Sequence, residues 1–279
     1  MGLFDKKYCD ICKNKIGLLG NRKLEDGNLC KECAAKLSPW FSDRRRSTVE
    51  EIRQQLDYRE ANKEAVSGFH TTRTLGSGTK LLLDEDAGKF MVTSARNLRD
   101  ANPDVLDFSQ VTGCRVDVDE DKTELKREDK DGKEVSYNPP RYTYDYDFYV
   151  IINVNAPYFD EIRFRLNSSS IESPVQITKG SAVRPAPAVI KPGVRPGGAP
   201  PRPGMAPRPG MGGIPVEYSE CEKLGEEIVA ALTQVRTTVR QAAEEAKAPK
   251  IAVTCPWCGA TTVPDAEGKC EYCGGAVNA

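Results

Sequence analysis

Eight of the ten cysteines fall into two quartets. Cys9, Cys12, Cys30 and Cys33 run Cys-x2-Cys-x17-Cys-x2-Cys, and Cys255, Cys258, Cys270 and Cys273 run Cys-x2-Cys-x11-Cys-x2-Cys. A CxxC on a tight turn offers two thiolates to one ion, and two such turns complete a tetrahedron. The spacing therefore points to two Zn2+ ions. Four thiolates fill the coordination sphere of zinc and leave no position for water or substrate, so both sites are expected to be structural rather than catalytic. Each module is too short to fold on apolar burial alone, and the metal would supply its folding energy. A four-cysteine site also accepts iron. Cys255-Pro256-Trp257-Cys258-Gly259 resembles a rubredoxin knuckle, which leaves zinc or iron open at the second quartet. The remaining cysteines, Cys114 and Cys221, read as small hydrophobes rather than nucleophiles.

Little else in the sequence suggests catalysis. There is one histidine, His70, and no GxSxG, P-loop or GxGxxG pattern; Gly76-Ser77-Gly78 reads as a turn. The run DVDEDKTELKREDKDGK, from Asp117, reads as a solvated loop without the ligand order of an EF-hand. A non-enzymatic protein is the expectation.

Hydrophobic residues make up 39% of the 279, charged residues 29%, and the net charge is -1. The modest apolar fraction suggests that part of the length is linker. The longest apolar region, Phe148 to Phe159, is interrupted by Asn153, Asn155 and Pro157, short of the roughly 18 apolar residues a membrane span needs. MGLFDKKYCD lacks a signal-peptide run, and Lys6 stands where a myristoylation motif wants Ser or Thr. A cytoplasmic protein is expected, where cysteines serve metals rather than disulfides.

Six regions must position these residues. Residues 1–41 hold the first quartet, with a hairpin turn at Asp26-Gly27 and a helix near Cys33. A connecting helix fills 42–67, with Ser47 and Glu50 fitting a capping box and Val49, Ile52 and Leu56 at helical spacing. Residues 68–182 read as an antiparallel β domain, with strands Lys80–Asp84, Lys89–Thr93, Val111–Val118, Tyr142–Val154, Glu161–Leu166 and Pro174–Thr178. A Pro/Gly-rich linker occupies 183–214. A long amphipathic helix occupies 215–248, with Leu224, Ile228, Leu232, Val235 and Val239 on one stripe, and 250–279 hold the second quartet. The class is multidomain α+β.

The first quartet, with Lys23-Leu24, Asp26-Gly27 and Lys36-Leu37 around it, resembles the N-terminal zinc module of a bacterial family catalogued as domain of unknown function 4428. The likeness covers about the first fifth of the chain, and it implies zinc and a bacterial cytoplasm but no activity. Its order of knuckle, hairpin and ligand-bearing helix looks like a treble clef. The middle of the chain, from Phe69 through the long helix, is similar to bacterial pleckstrin-homology-like domains, small β barrels capped by a C-terminal helix. The tail, with Gly259 and Gly274 after its knuckles, looks like a minimal zinc ribbon.

Regional charge bears on partners. Residues 1–68 carry 14 Lys/Arg and 11 Asp/Glu, a net of +3, whereas 69–182 carry 15 and 20, a net of -5. Residues 251–279 carry one basic and three acidic side chains, a poor phosphate binder. The expected function is a zinc-binding adaptor or scaffold with protein partners. The alternatives are a nucleic-acid-associated protein using Arg44–Arg46 with Arg184, Lys191, Arg195, Arg202 and Arg208 of the linker, or a peripheral lipid-binding protein acting through the β domain.

Overall fold

The computed structural model describes residues 6–177, 214–247, 252–265 and 268–277. The linker tract 183–213, with its five basic residues, lies outside the described residues. The chain divides into two units, Met1–Arg236 and Thr237–Ala279.

In the first unit a short hairpin, β1 (Arg22–Lys23) and β2 (Asn28–Leu29), leads into the one-turn helix α1 (Lys31–Ala34). Gly27 closes the hairpin because no side chain fits there: an added Cβ would lie 2.5 Å from Val49 Cγ2 and 2.7 Å from Asp10 Oδ2. Helix α2 (Val49–Gly68) follows a 3-10 turn at Asp43–Arg46. Its capping box is formed by Thr48 and Glu51, one residue later than Ser47 and Glu50 would place it. The Thr48 hydroxyl accepts the Glu51 N–H at 3.2 Å and the Glu51 carboxylate accepts the Thr48 N–H at 2.7 Å. The buried face of α2 is Ile52, Gln55, Arg59, Asn62 and Val66, a helical stripe whose middle is polar.

Two of these polar residues, Arg59 and Asn62, tie three parts of the unit together. Arg59 Nη1 donates to Asp104 Oδ1 at 2.6 Å, and Ser38 Oγ donates to Asp104 Oδ2 at 2.8 Å. Arg59 Nε donates to the Lys36 carbonyl at 3.2 Å, and its Nη2 reaches the Asn102 carbonyl. Asn62 donates to Asn102 Oδ1 and the Pro103 carbonyl and accepts the Val105 N–H. The cysteine module, α2 and the loop after α3 (Leu98–Ala101) are thus joined by satisfied buried groups, which hold a relative orientation that apolar contact alone would leave loose.

Two antiparallel sheets follow. The first has the order β3 (Arg73–Leu75), β4 (Lys80–Asp84), β5 (Lys89–Thr93) and β6 (Leu106–Asp107). In the second, β8 (Glu134–Val154) pairs along one edge with β7 (Val111–Glu128) and along the other with β9 (Glu161–Arg165) and β10 (Ile171–Ser173). The strands at 80–84 and 89–93 stand at their expected positions, each with four consecutive buried residues. Others differ from expectation. The charged run from Asp117 to Glu128 is strand rather than loop, paired with Glu134–Tyr149 and turning at Asp129–Lys133 with Gly132 at φ +75°. Both faces of this ribbon meet solvent, so it carries no hydrophobic alternation, and cross-strand pairing sets its structure. The last strand is Ile171–Ser173; Pro174–Ile177 follows it outside any strand, and Thr178 lies outside the described residues. Strands β3 and β6 are too short to leave a periodic signal.

Helix α4 (Val216–Lys247) packs its first half on the second sheet. Tyr218 stands edge-on to Tyr146 and Phe148, with centroids 5.2 and 4.8 Å away. Ile228 and Leu232 are fully buried, and Arg73 pairs with Glu227 at 2.7 Å. The side chain of Val239, the last residue of the expected stripe, lies outside the described set. Among the described residues no helix is long and apolar enough to cross a membrane.

In the second unit, β11 (Val253–Thr254) and β12 (Thr261–Thr262) pair, and a bridge joins Lys269 to Ala276. Its apolar centre is Cys255, Cys270 and Val277 with Val253 against them.

Candidate metal centres

Each quartet is built by local backbone turns. At Cys9 the Lys13 N–H donates to the Cys9 carbonyl at 2.8 Å, and the Cys9 N–H donates to the Asn14 carbonyl at 2.9 Å. Lys13 takes φ +61° to make this turn. The second unit repeats the turn twice with glycine in that position. Gly259, at φ +74°, donates to the Cys255 carbonyl, and Gly274, at φ +68°, donates to the Cys270 carbonyl. The other half of the first quartet is different. Cys30 is the N-cap of α1, its Sγ accepting the Cys33 N–H at 3.4 Å, and Cys33 sits inside the helix.

These turns bring all eight expected cysteines together in two clusters, Cys9, Cys12, Cys30 and Cys33, and Cys255, Cys258, Cys270 and Cys273, with the sulfurs of each within 4.8 Å of one another. Cys12 and Cys30 are 3.7 Å apart, Cys258 and Cys270 3.7 Å, and Cys255 and Cys273 3.6 Å. A zinc–thiolate bond of about 2.3 Å gives a tetrahedron with an edge of about 3.8 Å, whereas a disulfide needs about 2.05 Å. The clusters have the dimensions of metal tetrahedra, their donors are all sulfur, and the two sites fit two structural zinc ions. They are the groups of this kind among the described residues.

The electrostatics also call for a cation. Burial raises the Cys9 thiol, but the N–H groups of Cys12, Cys30 and Ile11 outweigh it and bring the thiol down to about 7. Cys33, buried and facing the other three sulfurs, is pushed far up. In the second cluster, burial opposes the N–H groups of Cys273 and Tyr272 at Cys270, and the N–H groups win, at about 6. At Cys273 the Gly275 N–H pulls down, yet the sulfur of Cys258, burial and the other two sulfurs carry the thiol to about 12. In each quartet one thiol is drawn toward ionisation while another resists it, Cys9 against Cys33 and Cys270 against Cys273. A dication reverses that resistance by neutralising the clustered charge.

Around the first cluster, Ile16, Leu24, Leu29, Leu37 and Ile52 form a closed apolar shell. Asp26 Oδ1 accepts the Val49 N–H at 2.7 Å and so fixes the hairpin to the start of α2. Ile52 of α2 thus belongs to the shell of the first cluster, with Val49 and Leu56 packed against it. Residues 7–55 match the family model described as Domain of unknown function (DUF4428). The DUF4428 segment takes in the first quartet, its shell and the opening turns of α2 that complete that shell. No curated protein and no solved structure matches the chain.

The other singled-out residues are not drawn to either centre. His70 is exposed, with Nδ1 4.0 Å from Asp86. Burial raises the thiol of Cys114 to about 11 and raises that of Cys221, which disfavours the thiolate a nucleophile needs. Of the arginine triplet, Arg46 is paired with Asp43. Arg44 donates to the Lys23 carbonyl at 2.9 Å, and Arg45 lines the same concavity as Arg22 and Lys23. Sequence reasoning missed that grouping, because residues about twenty apart meet only once the hairpin has folded. It also missed Arg59 and Asp104.

Proposed function

We propose that this chain is a non-enzymatic zinc-binding adaptor of the bacterial cytoplasm, whose partners are proteins. The observation that carries the reading is Trp257. It is 76% exposed, yet its indole N–H donates to the Ala276 carbonyl at 3.1 Å and its ring lies against Gly275, where an added Cβ would fall 2.7 Å from Trp257 Cδ1. An aromatic side chain held still in solvent is a preorganised anchor for a protein surface, since its ordering cost is met before binding. Tyr272, 70% exposed, is a second aromatic side chain that the same ribbon offers to solvent. The closed sulfur tetrahedra leave the metals no open coordination position, which favours binding over catalysis.

Two finer fold readings belong to this proposal. The knuckle, hairpin and one-turn helix of the first module fit a treble clef. Two antiparallel sheets followed by a helix packed on one of them fit a pleckstrin-homology-like domain, a fold that commonly serves as a binding platform.

The reading is tested by placing a photo-crosslinking amino acid at position 257 of the full chain in cells. A discrete protein adduct, lost when Tyr272 is changed to Ser, is the expected result. Adducts to nucleic acid alone, or none at all, would remove the adaptor from consideration.

A further inference from the structure

Leu18 and Leu19 are 90% and 84% exposed, more than any other large hydrophobic side chain among the described residues. They are the two corner residues of a tight turn in which the Gly20 N–H donates to the Gly17 carbonyl at 3.0 Å. Corners of such turns ordinarily go to Gly, Pro, Asn, Asp or Ser, and nothing in the fold calls for two leucines here. The turn holds them out from the module as a fixed apolar tip.

A cationic concavity adjoins the tip. Arg22 Nη1 donates to the Leu19 carbonyl at 3.4 Å, so its guanidinium stands at the root of the turn. Arg22, Lys23, Arg44 and Arg45 line a hollow of about 740 Å³, shared with the single carboxylate of Glu25. Among the described residues none of the four cations is in an ion pair, in contrast to the neighbouring Arg46. Arg44 is held below its ordinary value by burial and by the charges of Arg45 and Arg22, the mark of cations crowded without an anion.

We propose that this face of the first zinc module docks on an anionic membrane surface, with Leu18 and Leu19 entering the headgroup–acyl boundary and Arg22, Lys23, Arg44 and Arg45 resting on lipid phosphates. An apolar tip beside cations is what a bilayer interface rewards: one signal alone binds weakly, and the two together anchor. A polynucleotide would meet the same cations, but it gains nothing from two aliphatic side chains and finds no aromatic ring in the hollow on which to stack a base. The inference assigns lipid contact to the zinc module and not to the acidic β region, and it does not depend on the adaptor reading.

The experiment is co-sedimentation of the zinc-loaded full chain with vesicles of phosphatidylcholine alone and of phosphatidylcholine with phosphatidylserine. Binding to the anionic vesicles alone is expected, weakening in high salt. Leu18→Ser with Leu19→Ser should lower the affinity roughly tenfold to hundredfold, from the apolar area withdrawn. Arg44→Gln with Arg45→Gln should lower it about 30-fold, from the attraction of each cation to the anionic surface. All four side chains are outside the core, and an unchanged zinc content of two per chain would confirm that the variants fold. No binding to anionic vesicles would overturn the proposal. So would a leucine variant that binds as well as the parent, or a chain that binds an oligonucleotide and ignores the vesicles.

Discussion

Arg59 and Asp104 form an ion pair of 2.6 Å from which solvent is withheld on both sides, the side chains being 6% and 0% exposed. Asp104 receives a second donor from Ser38, and Arg59 gives its other N–H groups to the Lys36 and Asn102 carbonyls. The pair is fully satisfied, so removing either partner strands the other. Arg59→Met or Asp104→Leu alone should each cost about 3–5 kcal/mol, whereas the double change should cost much less. Urea denaturation of the four proteins closes the cycle. Single variants within about 1 kcal/mol of the parent would mean that the pair does not join the parts as described.

Metal content should divide by quartet. Cys33→Ser and Cys270→Ser should each take the zinc content from two per chain to one, and the double variant should take it to zero. Elemental analysis after purification without added metal reads the result. Cys114→Ser and Cys221→Ser should leave two. A Cys270 variant that kept both ions would refute the second site.

Asp84 ties stability to pH. Its carboxylate accepts the His70 N–H at 2.8 Å and the Ala87 N–H at 3.0 Å. Burial alone would raise it, and the two N–H groups more than compensate, so it lies below its ordinary value. A carboxylate depressed in the folded state contributes stability that is fully present above its unfolded value of about 3.9 and is lost as pH falls through the lower folded value. Asp84→Asn should therefore destabilise by about 1–3 kcal/mol at neutral pH, and the gap to the parent should close below about pH 4. A gap that stays constant from neutral to acid pH would show that the charge of Asp84 plays no part.

Gly225 tests the docking of α4. On an exposed helix Gly→Ala gains up to about 1 kcal/mol. Here an added Cβ would stand 2.8 Å from Val116 Cγ2 and 3.6 Å from Leu166 Cδ1. Gly225→Ala should instead lower the melting temperature, and Val116→Ala in the same chain should relieve the clash. A stabilised Gly225→Ala would show that the helix lies free of the sheet.

The metal centres were legible in the sequence because their determinants are local. In three of the four pairs, two cysteines three apart and a residue at positive φ, Lys13, Gly259 or Gly274, make a knuckle from local backbone alone. Strands 80–84 and 89–93 were legible for a similar reason, being short apolar runs joined by one tight turn. The outer part of the β7–β8 ribbon, after Val118 and before Tyr142, was not, because its charged residues face water on both sides and it is specified by its partner strand. The face of α2 was half legible. Ile52 and Val66 show a helix face, but Arg59 and Asn62 between them look like solvent residues until Asp104 and Asn102 are brought against them from forty or more positions away. The cations of the hollow were seen as a triplet, and folding splits that triplet and recruits Arg22 and Lys23 to it.

Cys30 belongs to two structures at once, as the cap of α1 and as a corner of the first sulfur tetrahedron. A helix of four residues is far below the roughly 12 that hold together in water unaided. Its one turn is thus borrowed from the ion, and loss of the ion takes with it both a ligand and the start of a helix. The backbone here keeps a record of metal supply. In a zinc-starved cell the chain would differ in shape, not only in composition, at the end that also presents Leu18, Leu19 and the cationic hollow.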